Sequence, residues 1–354
     1  MDDVPEAREF SRATLARMLR RVEPNAELRG YARVDRGFGS IYRLDVRDDE
    51  GDGERYLKAS PDGETRSVPT EPRIQSVLRA LTSMPVPTVR GVVDDHGTLP
   101  TPYFVMDALP GERVAYERVC RLDDGALRRL ARETGEQLGE LHSVPAVDAF
   151  GLVGHDGPPL TGGRPDGDPA TLTVEDACED WPTFLRGYVG RELDRHADSR
   201  FSRLTPTLER WFDAGIGRLD GPFDPVLGRN DHGLHNLLVD PETGEITAVL
   251  DWGYTLAVPA AFDFEFAVYL YGGAFLAGLP DVSDRREPVR EAMLSGYRAT
   301  APERVGRVST PEPRYEALAM VRIMNDFHHL DVPEGAEGAV TDRIEADVRA
   351  LLDR

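Results

Sequence analysis

The sequence predicts an α+β protein in two lobes: a small antiparallel sheet with one helix over residues 1–106, and a larger, mainly helical lobe over 107–354. Three observations predict it. Before about residue 110 the apolar residues come in short runs, alternating in places and broken by glycine and proline, which is how strands read. Beyond that point they recur at three- and four-residue spacing, the period of helices. With 354 residues, 40% of them hydrophobic, the chain is also long enough for two sizeable cores.

The elements follow in order. Residues 7–22 read as a helix, with Phe10, Leu15, Met18 and Leu19 near one face. A glycine turn, "GFGS", leads into alternating Tyr42, Leu44 and Val46, and "RYLKAS" resumes after "GDG", so 34–59 reads as a hairpin. A helix is expected from Glu71, on the spacing of Ile74, Val77, Leu78 and Leu81. "PVPTVRGVVDD" and "PYFVMDAL" read as two more strands. Leu127, Leu130, Ala131, Leu138 and Leu141 mark a helix over 123–144. The Gly- and Pro-rich stretch 154–170 reads as a loop, either an excursion near a substrate or a surface insertion. Helices are expected near 180 and 205, then strand–turn–strand at "NLLVD–PETG–EITAV", then helices to the end. "LAVPAAFDFEFAVYLYGGAFLAGL" is long enough to cross a membrane, but Pro259, Asp263 and Glu265 make a buried core helix the expectation.

Charge narrows the function. The formal net charge is -21, from 63 acidic and 42 basic residues. A nucleic-acid backbone would be repelled, so no such partner is expected. The acidity, with arginine used almost to the exclusion of lysine, suits a halophilic cell or a GC-rich genome. Cys120 and Cys178 stand far apart, in no metal-ligand spacing, and the N-terminus lacks a signal-peptide pattern. A cytoplasmic protein is expected, with no disulfide framework.

Only one of the 42 basic residues is lysine, and it is Lys58, on the strand that follows the glycine turn. Gly37 and Gly39 supply the first part of a G-x-G-x-x-G pattern, and a strand rather than a helix comes next. That order excludes a dinucleotide fold and permits a turn closing over ATP phosphates. Such a site calls for a compact ammonium, which the wide arginine fork does not imitate. It also calls for a glutamate on the next helix, and Glu71 is available. Downstream, Asp231 and Asn236 stand in D-x-x-x-x-N spacing, which puts a base and a metal-binding amide on one turn. Asp251 ends an apolar strand and is followed by Trp252 and Gly253, the layout of D-F-G, where a carboxylate can hold Mg²⁺. His232 and His235 read as loop packing, because no third metal ligand is evident.

In these motifs the chain resembles the aminoglycoside phosphotransferase and choline kinase family, which has the protein-kinase-like two-lobed fold. The resemblance runs from about residue 30 to 270 and takes in "PVPTV", "YFVMDALPG", "LGELHS" and "PAAFDFEFA". It implies that Asp231 is the catalytic base, that Asn236 and Asp251 are the Mg²⁺ ligands, and that the backbone from Asp107 to Leu109 contacts adenine. It further implies that Asp263 braces the catalytic loop (229–236), ahead of the metal-binding 251–253. Two departures stand out: Arg229 replaces the family's histidine, and Pro72 places Glu71 in the first turn of its helix. The function expected is ATP- and Mg²⁺-dependent phosphoryl transfer to a hydroxyl of a small molecule. The acceptor would be an aminoglycoside-like compound or an endogenous amino alcohol, sugar or amino acid. A protein kinase is a second reading; a non-catalytic nucleotide-binding protein is the reading of another class. A small acceptor is favoured over a protein because only 253–259 separates the "DW" turn from the next helix. Acids such as Glu265 and Asp326 are expected to wall its pocket.

Overall fold

The computed structural model describes residues 9–34, 39–49, 51–60, 67–114, 122–279, 282–330 and 332–353; Gly37 and Cys120 lie outside them. The chain forms two compact units. The first takes Met1–Pro110, Val153–Thr173 and Ala248–Tyr254, and the second takes Gly111–Leu152, Val174–Thr247 and Thr255–Arg354.

In the first unit, α1 (Arg12–Val22) begins at Ser11, whose Oγ accepts the Thr14 N–H at 3.2 Å. Its buried Leu15, Met18 and Leu19 pack on a sheet of β1 (Glu27–Val34), β2 (Ser40–Asp48), β3 (Gly51–Ala59), β4 (Val89–Val93) and β5 (Tyr103–Asp107). The strand order is β1-β2-β3-β5-β4. The hairpin expected at 34–59 is β2–β3, while Val34 closes β1, a strand the sequence does not announce. In β1 only Leu28 is buried, so there is no alternation to read. Helix α2 (Ser67–Leu81) starts four residues before Glu71. Pro72 therefore lies inside it and cannot return a hydrogen bond to the Val68 carbonyl. Early proline is tolerated where few amides are yet bonded, and the consequence is that Glu71 sits within the helix and not at its head.

The Gly- and Pro-rich stretch is a loop, as expected, and from 160 to 163 it is bonded as a strap along β4. Gly162 N–H donates to Val92 O at 2.7 Å, and Val92 N–H donates to Gly163 O at 2.9 Å. Leu160 N–H donates to the Asp94 carboxylate, which Arg73 also grips at 2.7 Å. Gly91 and Gly162 permit the approach, since a Cβ on Gly91 would stand 2.3 Å from Gly162 O. β4 is the last strand of its sheet, and the strap occupies the edge it would otherwise leave open.

The second unit is mainly helical: α3 (Asp124–Leu141), α4 (Trp181–Ala197), α5 (Thr205–Ile216), α6 (Ala260–Gly272), α7 (Arg286–Thr300), α8 (Pro313–Asn325) and α9 (Glu337–Leu352). Short strands interrupt the helical pattern, and most are too brief to register in it. β6 (Glu112–Arg113), β10 (Leu237–Val239) and β11 (Ile246–Val249) form one sheet. β7 (Phe150–His155), β8 (Leu172–Cys178), β9 (Pro225–Gly228) and β12 (Leu256–Pro259) form another. Helices α3 and α7 meet through paired glycines: a Cβ on Gly135 would lie 2.0 Å from Met293 O, and one on Gly296 would lie 1.9 Å from Arg132 O. β12 and α6 account for the long apolar stretch; α6 is buried on every side except at Ala261. Among the described residues no helix is long and apolar enough to cross a membrane.

His196, at the end of α4, is fully buried, with Nδ1 2.8 Å from Thr205 Oγ1. Burial pushes its pKa down to about 4. An unfolded chain takes up that proton near pH ~6.5, so below that pH the unfolded state binds more protons. Stability should therefore fall as the pH drops from about 6.5 toward 4, by about 2 kcal/mol at pH ~5 from this group alone. Buried His142, also lowered, adds in the same direction. Urea unfolding at pH 7 and pH 5 should show a smaller loss for His196→Gln than for the wild type; equal losses would remove His196 from the account.

Candidate active site

In the first unit, three segments converge on Lys58. Its strand, β3, lies between β2 and β5, with Lys58 opposite Ile41 on one side and Phe104 on the other. Nζ donates to Glu71 Oε2 at 2.7 Å and to Asp251 Oδ1 at 3.2 Å. The lysine side chain is 7% exposed and that of Glu71 2%, while Asp251 keeps 34%. Burial alone would push the ammonium's pKa down, but Glu71 and Asp251 outweigh it and hold the group above its ordinary value. The early start of α2 makes this pair possible, so Pro72 does not prevent it. Glu71 also accepts the Trp252 N–H, which ties the D-W-G turn to α2. Gly253 is needed there because a Cβ would meet the Ser67 side chain at 2.6 Å. Asp251 itself has φ 59°, a left-handed conformation rare for a non-glycine residue and often found where function requires it.

Two carboxylates share one ammonium, and the surplus charge rests on Asp251, the more exposed of them. That suits a carboxylate which also takes a cation. Among the described residues no group of three or more His, Cys, Asp or Glu could hold a metal. Mg²⁺ does not need one: it binds through one or two carboxylates together with substrate phosphates and water. Asp251 and the amide oxygen of Asn236 are hard oxygen donors of the right kind. Gly39, at φ 83°, adopts the left-handed turn its place before β2 requires. The Asp107 carboxylate is held by Arg90 at 2.6 Å, and its N–H donates to Thr88 O. Ala108 N–H donates to Glu54 O, and Leu109 follows, half-buried.

In the second unit, the loop after β9 is built on Asp263 of α6. One carboxylate oxygen accepts the Asn230 N–H at 3.0 Å and lies 2.7 Å from His232 Nε2. The other accepts the Arg229 N–H at 3.0 Å and lies 3.2 Å from His142 Nε2. His142 is in turn fixed by the Tyr297 hydroxyl at 3.0 Å. His232 is thus loop packing, as expected. Burial works against the Asp263 charge, but the two histidines prevail and hold its pKa well below the carboxylate range. Arg229, in place of the family histidine, reaches across the loop to Asn236 O at 3.4 Å.

Asn230 turns the chain at φ 63°, and Arg322 Nη1 clamps it by its carbonyl (3.0 Å) and its side-chain oxygen (2.7 Å). The Tyr188 hydroxyl adds a bond to the same side-chain oxygen at 3.3 Å. Asp231 follows, with Gly233 N–H on one oxygen (3.0 Å) and Asn236 Nδ2 on the other (2.9 Å). Burial would raise its pKa, but His235, Arg322 and the Gly233 amide together hold it below the ordinary value. It is therefore a carboxylate at neutral pH, suited to orienting a hydroxyl. The sequence reading missed Arg322 and Tyr188. The available signal was a lone arginine within the apolar run "ALAMVRIM". Of the two acids expected to wall the acceptor's pocket, Glu265 pairs with Arg290, and Asp326 with Arg195 at 2.6 Å.

A family model described as "phosphotransferase enzyme family" matches residues 40–306. The chain belongs to that family. Solved structures with the same protein-kinase-like fold include a provisionally assigned aminoglycoside phosphotransferase from Ralstonia eutropha JMP134, at 13% identity and TM-score 0.64, covering 98% of each chain. Another is the complex of aminoglycoside phosphotransferase APH(2")-IIIa with GDP and kanamycin, at 13% identity and TM-score 0.58, covering 95% of this chain and 98% of that one. A third, a mutant of aminoglycoside phosphotransferase APH(4)-Ia with AMP-PNP and hygromycin B, has 16% identity and TM-score 0.52, covering 95% and 98%. Mouse acyl-CoA dehydrogenase family member 10 is 24% identical over 212 residues, 57% of this chain. The match spans only 17% of that relative's length, so the dehydrogenase of its name is not carried over.

Proposed function

We propose that this phosphotransferase-family protein is a cytoplasmic kinase of small molecules, moving the γ-phosphoryl group of ATP to a hydroxyl with Mg²⁺. The observation that carries the reading is Lys58, buried and charged between Glu71 and Asp251. A protein gains little by burying an ion pair such as Lys58 and Glu71 unless one of the two has work to do. Residues 1–106 form the nucleotide lobe, where Lys58 and the turn at Gly37 and Gly39 receive the phosphates and Glu71 fixes the lysine. Leu109 offers the backbone contact to the base, since the Asp107 and Ala108 amides are engaged. Residues 107–354 form the acceptor lobe, where Asp231 accepts a hydrogen bond from the acceptor hydroxyl and aligns it. Asn236 and Asp251 would hold Mg²⁺, which neutralises charge on the transferred group. Positioning and electrostatics carry the reaction.

The neighbours' ligands support a purine nucleotide and a hydroxylated acceptor, and they leave the base and the acceptor to experiment. Consumption of ATP and of GTP should be followed with aminoglycosides, amino alcohols, sugars and amino acids in turn. The expected result is Mg²⁺-dependent turnover of ATP on one acceptor class. Nucleotide binding with no turnover on any class would leave the non-catalytic reading in its place. Labelling of unfolded proteins without small-molecule turnover would make it a protein kinase.

Lys58→Arg keeps the charge but not the shape: a wide planar fork replaces the compact ammonium that meets Glu71 and Asp251. It should lower ATP use at least tenfold, about 1.4 kcal/mol. Steady-state kinetics at saturating acceptor measure this, and wild-type activity would show that the lysine does not serve the phosphates.

A further inference from the structure

Helix α2 carries Glu71, yet two prolines weaken the turn on which it sits. Pro72 returns no hydrogen bond to the Val68 carbonyl, and Pro69 has no N–H of its own. A glutamate that orients an ammonium at 2.7 Å needs a turn that does not fray.

Arg73 lies two residues on, about 200° round the helix, so it faces away from Lys58. It is buried. Nη1 donates to Pro69 O at 2.6 Å, which closes the side chain over the turn that holds Glu71. The same guanidinium grips both oxygens of the Asp94 carboxylate, at 3.2 and 2.7 Å, and donates to Pro158 O at 3.3 Å. Asp94 follows β4 and also accepts the Leu160 N–H, at 2.6 Å. One side chain thus joins α2, the end of β4 and the loop 154–170.

That loop meets α2 directly as well. Leu160 packs on the cluster of Val68, Val92 and Phe104. Gly167, at φ 75°, comes so close to the helix that a Cβ would stand 2.9 Å from Ser76 O. A buried ion pair contributes little net stability beside apolar packing of like volume; what it can contribute is one fixed arrangement. Here the arrangement fixed is that of the turn opposite Lys58.

We propose that Arg73 is a positioning residue for the Lys58–Glu71 pair. Seated by Asp94 and by the loop 154–170, it holds the first turns of α2 where Glu71 reaches the ammonium. This role rests on the reading of Lys58 as the group that receives the nucleotide phosphates. Arg73 itself touches neither nucleotide nor acceptor.

Calorimetric titration with Mg²⁺–ATP and with adenosine tests this without an acceptor, since adenosine has no phosphates for Lys58 to hold. Arg73→Met keeps the length of the side chain and removes its bonds. Its affinity for Mg²⁺–ATP should fall about tenfold or more, while adenosine binds within about twofold of the wild type. Glu71→Gln should show the same pattern. Adding Arg73→Met to Glu71→Gln should then cost less than about twofold further, because both act through one contact. Arg73→Lys keeps the charge but not the fork and should lose about threefold or more. It carries the test if the melting temperature shows that Arg73→Met does not fold. The role of Arg73 is overturned by wild-type Mg²⁺–ATP affinity in the variant that folds, by an equal loss for adenosine, or by a fully additive loss in the double variant. In each of those cases a weakened Glu71→Gln leaves the reading of Lys58 intact. If Glu71→Gln binds Mg²⁺–ATP as the wild type does, the reading of Lys58 fails and the role of Arg73 falls with it.

Discussion

Asp231→Asn is expected to lower phosphoryl transfer by on the order of a thousandfold while nucleotide binding survives. The substitution is nearly isosteric. Its remaining oxygen can still accept the Gly233 N–H at 3.0 Å, and the one contact that changes is to Asn236 Nδ2, which then faces a donor. What is lost is the negative charge that the surroundings of Asp231 favour, and with it the group that in the proposed reaction would orient the acceptor hydroxyl. Asp251→Asn should behave differently. Its charge is half of the environment that holds the Lys58 ammonium, and it is the carboxylate with room for a cation. That variant should weaken Mg²⁺–ATP binding itself. Titrating both variants with Mg²⁺–ATP separates the roles, and equal loss of nucleotide affinity would mean that they are wrongly divided.

The second large effect is on stability. Asp263→Asn should destabilise the fold by about 3–5 kcal/mol, because it removes the charge from a fully buried carboxylate that is hydrogen-bonded to its partners. Asp263 accepts from the amides of Arg229 and Asn230 and meets two histidines, and it is fully buried. An amide in its place turns a donor toward other donors. Asp326→Asn is the matched control, since its pair with Arg195 is 38% and 51% exposed and such pairs contribute about 0–1 kcal/mol. Denaturant unfolding measures both. A loss under about 1 kcal/mol for Asp263→Asn would show that the loop does not rest on it.

Much of this was legible because the chemistry restricts residue type. Lys58 stood out as the one lysine, and Asp231, Asn236 and Asp251 by their spacing after strands. Glu71 was placed in the wrong turn because proline usually opens a helix, whereas here Pro72 falls inside one that Ser67 begins. β1 was silent because a strand with a single buried residue has no period. That the loop at 154–170 straps β4 is not legible in the sequence, because its bonds are made by backbone, which side-chain patterns do not report. Arg322 and Tyr188 could not be placed either. Both occupy unremarkable helix positions, and their meaning comes from the turn at Asn230, which only the folded chain brings to them.

The first unit is sewn from three separate stretches of chain, and this constrains the order in which it can be made. A nascent chain that has emerged only as far as residue 110 has its lysine and glutamate, yet it lacks both the strand-edge strap and the second carboxylate. Asp251 lies 193 residues after Lys58 in the sequence. The unit therefore cannot close vectorially as it leaves the ribosome; it must wait for residues 248–254. Contacts so distant in sequence slow folding, because loop closure precedes any gain from them. Cutting the gene at the apparent lobe boundary should yield an N-terminal fragment that does not fold alone, and a complementing C-terminal fragment would have to carry its missing pieces.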